Sequence, residues 1–443
     1  MSGSARTARM RWTQNRNLLL IFLIGTLGYV DRGTLAVANP LIRQDLGLSV
    51  AEMGVLLSAF LWPYAFSLLL AGPIVDRVRP RRILAAALIV WSIAQATAGF
   101  VLNYTQFLLV RAALGVGEAP IYPTFARVTK DWYHEHDQAL TVGIWNGSSS
   151  FGTAIAPLLL TPVMLIYGWR WMFVLMGVVG VIFAIVWFVV YRDLNALELH
   201  DDDRLYLYGE GEVADDLPTH MQGWRRLFGF RATWGLILGF FGNVYVGWMF
   251  TAWLPGYLEM QRHMSIPKTG LVASVPFFLG LVGSVSGGWL GDRLNIGGMT
   301  AIGSRKLLTV VGMTIMSLAT VTAALVSSSV VAVAAISVAM FFALSSSSSS
   351  WALSGACAPR SYAASLGAIM DFGGFIGGAL APTVTGFVVQ ITGSFTPALL
   401  VAGGIGLVSS LIYLVAIPAT PIRDEDLEYG ALTAGYEATE PSA

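Results

Sequence analysis

Twelve times along this chain an apolar run of about twenty residues recurs, the length a helix needs to cross a bilayer core. The runs fall around 17–38, 54–75, 83–102, 105–126, 139–166 and 171–191, and again around 232–256, 269–291, 306–326, 328–355, 362–390 and 396–418. Inside hydrocarbon each backbone N–H and C=O must be satisfied within the segment, which selects helices. Only 12% of the residues are charged, against about 25% in an ordinary soluble domain, while 55% are hydrophobic and the mean hydropathy is +0.67. The expected fold is an all-α polytopic membrane protein with twelve transmembrane helices in two pseudo-symmetric six-helix bundles.

The polar stretches divide the chain. Residues 1–16 form an N-terminal segment, 17–192 a first bundle, 193–231 a linker, 232–418 a second bundle and 419–443 a tail. Arg6, Arg9, Arg11 and Arg16 precede the first apolar run like the n-region of a signal peptide. That run is too long for one and carries Asp31 and Arg32, so it reads as an uncleaved first helix. With both termini and the linker assigned to the cytoplasm, twenty Lys and Arg lie inside and four outside, namely Arg43, Arg170, Arg262 and Lys268. This asymmetry fixes the orientation and predicts a multi-pass protein of the plasma (inner) membrane. The formal net charge of zero argues against a nucleic-acid partner. The lone Cys357 excludes an intramolecular disulfide, and His134 and His136, two apart in a polar loop, read as solvated rather than as metal ligands. No cofactor and no metal is expected, and the chain is expected to act as a monomer.

The halves repeat each other. Gly72-Pro-Ile-Val-Asp76-Arg77, followed by Arg81-Arg82, has a counterpart in Gly288-Trp-Leu-Gly-Asp292-Arg293, followed by Arg305-Lys306. Gly152 and Pro157 recur as Gly377 and Pro382, and Asn146 answers Asp371. Such duplication places a substrate site at the interface of the repeats. The glycine of Gly-x-x-x-Asp-Arg lets two helices approach, and the aspartate caps or pairs at a cytoplasmic helix end. In this spacing the chain resembles the major facilitator superfamily, whose gating loop it implies for Gly72, Asp76, Arg77, Asp292 and Arg293. The usual second glycine of that loop is Arg79 here.

Charges inside the spans carry the chemistry. A charged side chain near mid-membrane costs roughly 2.5–3.5 kcal/mol on insertion scales, so it defaults to a substrate or ion pathway. Asp31 and Arg32 sit together in the first span, after Tyr29. In the fourth, Arg111 and Glu118 are seven apart on one helical face, with Pro120 and Pro123 expected to kink the helix just past Glu118. A structural brace for the first bundle and a coupling site are both open readings of that pair. Asp371, among Gly373, Gly374 and Gly377, is either a proton site or a residue near a helix end. Ser345 to Ser350, a linker by composition, lies within the tenth span, where hydroxyls bond carbonyls one turn back or line a polar wall.

Tyr29-x-Asp31-Arg32, Phe60-x-x-Pro63-Tyr64 and Arg111-x6-Glu118-Ala-Pro120 narrow the resemblance to the anion:cation symporter branch, as do Gly168-Trp169-Arg170-Trp171-x-Phe173 and Trp253-Leu-Pro255-x-Tyr257-Leu258. That branch includes bacterial galactonate, glucarate and hexuronate permeases and sialin-like carriers. The resemblance implies substrate-carboxylate contacts at Arg32, Tyr29 and Tyr64, and protonatable groups at Asp31 and Glu118, with Arg111 partnering Glu118. It also implies polar and aromatic contacts at Ser348 and Trp351. Sugar-acid permeases often carry an amide near Ser149 and an asparagine near Phe375. With neither present, Trp145, Phe151, Trp351, Phe372 and Phe375 would supply an aromatic wall, and a flatter or aromatic acid becomes a candidate beside sugar acids. The implied activity is import of a small organic anion with protons, by a non-enzymatic carrier. Export of amphiphiles by proton antiport is the runner-up, but Gly152-Thr-Ala-Ile-Ala-Pro157 lacks the Gly-Pro-x-x-Gly-Gly such carriers show. A transporter-derived sensor is a third reading.

Overall fold

The computed structural model describes residues 7–194, 203, 206–207, 221–359 and 362–423; the side chains of Gly72, Asp76, Arg77 and Asp292 lie outside the described set. The described residues form helices and no strand. Helix α1 is Ala8–Leu46, capped by Thr7 and ended by Gly47 at φ 65°. Helix α2 runs as Val50–Ser58 and Leu61–Arg77, the break falling where Pro63 has no N–H to give the Ala59 carbonyl. Helix α3 is Pro80–Thr97. Helix α4 runs as Tyr104–Glu118 and Ile121–Trp132, broken at Ala119 and Pro120, where the kink was expected.

The continuous stretch Glu135–Val190 turns at Gly168, whose φ of 81° lies in the left-handed region that glycine enters without steric cost. It is therefore two rods, α5 (135–167) and α6 (169–190). Helices α7 (Arg231–Met260), α8 (Ile266–Ile296), α9 (Ala301–Leu325), α10 (Ser329–Cys357), α11 (Ala363–Thr392) and α12 (Thr396–Ala416) complete twelve rods among the described residues. Among the described residues ten stretches are long and apolar enough to span; one of them, Thr141–Val190, holds 50 residues and supplies both α5 and α6. The broken α4 falls outside those ten because Arg111, Glu118 and the prolines interrupt its apolar run.

The chain packs as two compact units. The first takes the described residues of Met1–Ala214 with Trp248–Leu281 and Ala379–Ala398; the second takes those of Asp215–Gly247, Val282–Gly378 and Leu399–Ala443. In the first unit, Asp203 accepts hydrogen bonds from Thr7 N and Oγ1 at 3.1 and 2.9 Å, so the linker residue and the start of α1 share one end. At the other end Asp45 Oδ2 accepts from Trp169 Nε1 at 3.2 Å and Arg170 Nη2 at 2.9 Å, which explains the Trp-Arg pair after Gly168. There α2 and α11 cross backbone to backbone. A Cβ on Gly54 would lie 2.6 Å from the Pro382 carbonyl oxygen and 3.0 Å from Gly386 Cα. Thr383 Oγ1 donates to Ser58 Oγ at 2.8 Å, and Trp253 Nε1 to the Pro382 carbonyl at 3.0 Å, locking this crossing.

In the second unit α8 meets α10 through Gly287, where a Cβ would stand 2.5 Å from the Ser345 carbonyl oxygen. Asn243 Nδ2 donates to Ser346 Oγ at 2.6 Å, and that hydroxyl donates to the Phe342 carbonyl at 2.6 Å. The serine run is helical, and at least this member of it serves packing.

Candidate functional site: a buried ion pair in an aromatic cage

The first unit buries four ionisable side chains, Asp31, Arg32, Arg111 and Glu118, within the bilayer-spanning part of α1 and α4. Arg32 reaches from α1 to α4. Its Nε and Nη2 both donate to Glu118 Oε2 at 2.8 Å, and the two side chains are 4% and 0% exposed. Three rings surround the guanidinium: Tyr29, one turn earlier on α1, and Phe60 and Tyr64 of α2, with centroids 4.6, 4.7 and 5.0 Å from Cζ. Phe60 and Tyr64 flank the α2 break and stack at 5.4 Å, so the break that Pro63 enforces also sets two walls of the cage. Cation–π contacts of this kind are worth about 2 kcal/mol each when desolvated, and they make burying the charge tolerable.

The pairings differ from those the sequence suggests. Glu118 meets Arg32, not Arg111. Seven residues separate Arg111 from Glu118, a shared face but a rise of about 10 Å along the helix, too far for direct contact. Arg111 instead lies with Cζ 5.5 Å from the Phe60 ring, and its buried Nε and Nη1 make no hydrogen bond. Asp31 does not pair with Arg32 either. Its carboxylate turns to α3 and accepts from Trp91 Nε1 at 2.6 Å and from Gln95 Nε2 at 3.2 Å. The α3 backbone at Trp91 packs closely on α4 at Gly117, where a Cβ would stand 2.9 Å from Trp91 N.

Several polar atoms here have no partner. Glu118 Oε1, the Tyr122 hydroxyl and Gln95 Oε1 are all buried and unbonded. Buried polar groups in folded proteins are nearly always satisfied, so these three atoms call for a partner that the protein itself does not supply here.

The remaining expected site residues are placed as follows. Ser149 Oγ donates to the Asn146 carbonyl of its own helix at 2.7 Å, and Trp145 packs on Tyr122 and Phe125 at 5.7 Å each. In the second unit, Ser348 Oγ shares a hydrogen bond with Ser284 Oγ at 2.9 Å. Trp351 is 43% exposed and meets Phe240 edge-on at 6.3 Å; Phe372 is 45% exposed and Phe375 half-buried. Asp371 is half-buried on α11, with no hydrogen bond or ion pair among the described residues. Arg293 lies 5.8 Å from the Trp289 ring. Sequence reasoning missed Trp91 and Gln95. The signal was there: a glutamine one turn after a tryptophan, inside an otherwise apolar span.

Long apolar helices around a caged, buried ion pair describe a multi-pass membrane protein with a polar site inside its spans. The chain belongs to the Major Facilitator Superfamily, whose sequence profile matches residues 21–382. It is 38% identical over 419 residues to the "Probable L-galactonate transporter" of Escherichia coli (strain K12), covering 95% of this chain and 92% of that one. It is 30% identical over 425 residues to the "D-galactonate transporter" of Escherichia coli O6:H1 (strain CFT073), covering 94% and 97%. In fold it matches the crystal structure of a bacterial homologue of the human lysosomal transporter Spinster, with TM-score 0.73 at 20% identity over 99% of this chain and 100% of that one. The family read from the motifs, and relatives of the sugar-acid kind, are borne out.

Proposed function

We propose that this chain is a proton-coupled symporter that imports a small organic carboxylate by alternating access, with a galactonate-like sugar acid as the first candidate. Both termini and the 193–231 linker face the cytoplasm from the plasma (inner) membrane, and the working unit is a monomer. The names of the two relatives, each aligned over more than nine-tenths of this chain, support the sugar-acid class.

The observation that carries the mechanism is the lopsided Arg32–Glu118 pair. One oxygen of Glu118 takes both N–H bonds, and the other is buried with none. A proton on Oε1 neutralises the carboxylate and loosens its hold on Arg32. The guanidinium, still held by Tyr29, Phe60 and Tyr64, is then free to grip a substrate carboxylate in the bidentate geometry arginine favours. Loss of the proton toward the cytoplasm restores the internal pair and expels the anion. Asp31 is the second proton site in this reading, Arg111 the charge that tunes both acids, and Asp371 a further candidate in the second unit. Tyr29 and Tyr64 orient the substrate, Ser348 and Trp351 are further candidate contacts, and the helix ends carrying Gly72 to Arg77 and Asp292-Arg293 gate the cycle.

A flatter acid is the second reading. It is favoured by Ser149, whose hydroxyl is committed to its own helix, and by the exposed rings of Trp351 and Phe372. Purified protein in proteoliposomes tests the function: an inward proton gradient should drive accumulation of L- or D-galactonate, and an uncoupler should abolish it. Uptake indifferent to the proton gradient would remove the coupling. Failure of every carboxylate tried to compete or exchange would remove the substrate class.

A further inference from the structure

Trp91 and Gln95 lie four residues apart on α3 and so share one face. Both are buried, and both turn N–H groups onto Asp31, one to each carboxylate oxygen. Gln95 Nε2 also reaches Thr34 Oγ1 at 3.1 Å, and that hydroxyl donates to the Asp31 carbonyl at 2.6 Å. The same amide leaves its carbonyl Oε1 buried with no partner. An unsatisfied buried carbonyl is costly, and an apolar side chain of similar length would fill the space without it. The donor half of the amide is therefore what this position is for. The charged groups that reach Asp31 are Glu118 and Arg111, both from α4, with Arg32 beside it on α1. Trp91 and Gln95 add no charge; they fix where the carboxylate points and how well its ionised form is solvated.

We propose that Trp91 and Gln95 are positioning residues for coupling: they hold the Asp31 carboxylate on the α3 side, away from Arg32, and set the pH at which Asp31 exchanges its proton. The proposal rests on the reading of Asp31 as a proton site. A hydrogen bond donated to a carboxylate favours the charged form, so loss of either donor in this clamp makes Asp31 hold its proton to higher pH than in the parent. The clamp also leaves Arg32 to Glu118 alone, separating the two acids into one that answers the substrate and one that does not touch it.

The test is infrared difference spectroscopy on the purified full-length protein during a pH titration. The protonated-carboxyl stretch that disappears in Asp31→Asn reports Asp31. In Gln95→Met, which keeps length and loses the donor, the midpoint of that band should move up by about one pH unit, the size expected for one hydrogen bond to a charged group. Trp91→Phe should move it the same way, so a folding defect in one variant leaves the other to decide. Proton-driven uptake in Gln95→Met should persist to higher pH than in the parent. A band whose midpoint stays at the parent's value in both variants overturns the proposal. So does the absence of any band that depends on Asp31. A midpoint that moves while uptake ignores it upholds the clamp and overturns instead the reading of Asp31 as a coupling site.

Discussion

Arg32→Ala should unfold more easily than the parent, and Glu118→Gln should largely rescue it. The structure sets the size of the effect. Removing Arg32 leaves Glu118 fully buried with Oε2 stripped of both donors and Oε1 already without one. An uncompensated buried charge of this kind costs about 3–5 kcal/mol. Glu118→Gln alone strands the guanidinium, but three ring faces remain, and an amide oxygen still accepts, so about 1–2 kcal/mol is expected. The double variant has no buried charge at that contact and loses mainly packing. Its destabilisation should fall below that of Arg32→Ala, giving a coupling larger than the about 1–2 kcal/mol of Glu118→Gln alone. Unfolding in mixed micelles, followed as a titration of denaturing detergent, measures all four corners. Additive losses would refute the pairing and the exchange built on it. Binding is read separately: it should be absent in both Arg32→Ala and the double variant, while Arg32→Lys, which keeps charge but not the fork, should weaken it roughly 10–100-fold.

Other expectations follow from the same structure. Reporter fusions at Gly209 and in the C-terminal tail should both read cytoplasmic, and a periplasmic signal from either would reverse the orientation. In competition uptake, galactonates should outcompete aromatic acids of equal charge; the opposite order would favour the flatter substrate and point to the exposed rings of the second unit. Gly54→Val should lower thermal stability by about 1–3 kcal/mol, since its side chain must enter the space of the Pro382 carbonyl and Gly386. An unchanged melt would mean that α2 and α11 do not depend on that close approach.

The spans and most of their breaks were legible because they rest on local rules. Apolar length gives a crossing, Pro120 removes a donor, and the 139–166 and 171–191 runs part around Gly168, whereas the break before Pro63 falls inside the run 54–75 that reads as one span. The pairing of the charges was not legible. Asp31 and Arg32 are neighbours in sequence, which on a helix sets them about 100° apart, so one turns to α3 and the other to α4. Arg111 and Glu118 share a face and are still two turns apart. Which acid meets which base is decided by what the facing helices offer: Trp91 and Gln95 on α3, the rings of Phe60 and Tyr64 on α2. A single sequence names these residues without saying which face of which neighbour they meet.

Coupling in this protein rests on Glu118 exchanging its proton with the occupancy of Arg32. If both acids are loaded with one monoanion, each cycle carries one net positive charge inward, worth about 2.3 kcal/mol per 100 mV. Glu118→Gln imitates the protonated acid permanently, and its measurement is proton-driven uptake of galactonate beside counterflow in the same proteoliposomes. Glu118→Gln should still exchange substrate for substrate but no longer concentrate it against a gradient. If Glu118→Gln accumulates galactonate as the parent does, the Arg32–Glu118 pair is a structural brace and the proton travels elsewhere.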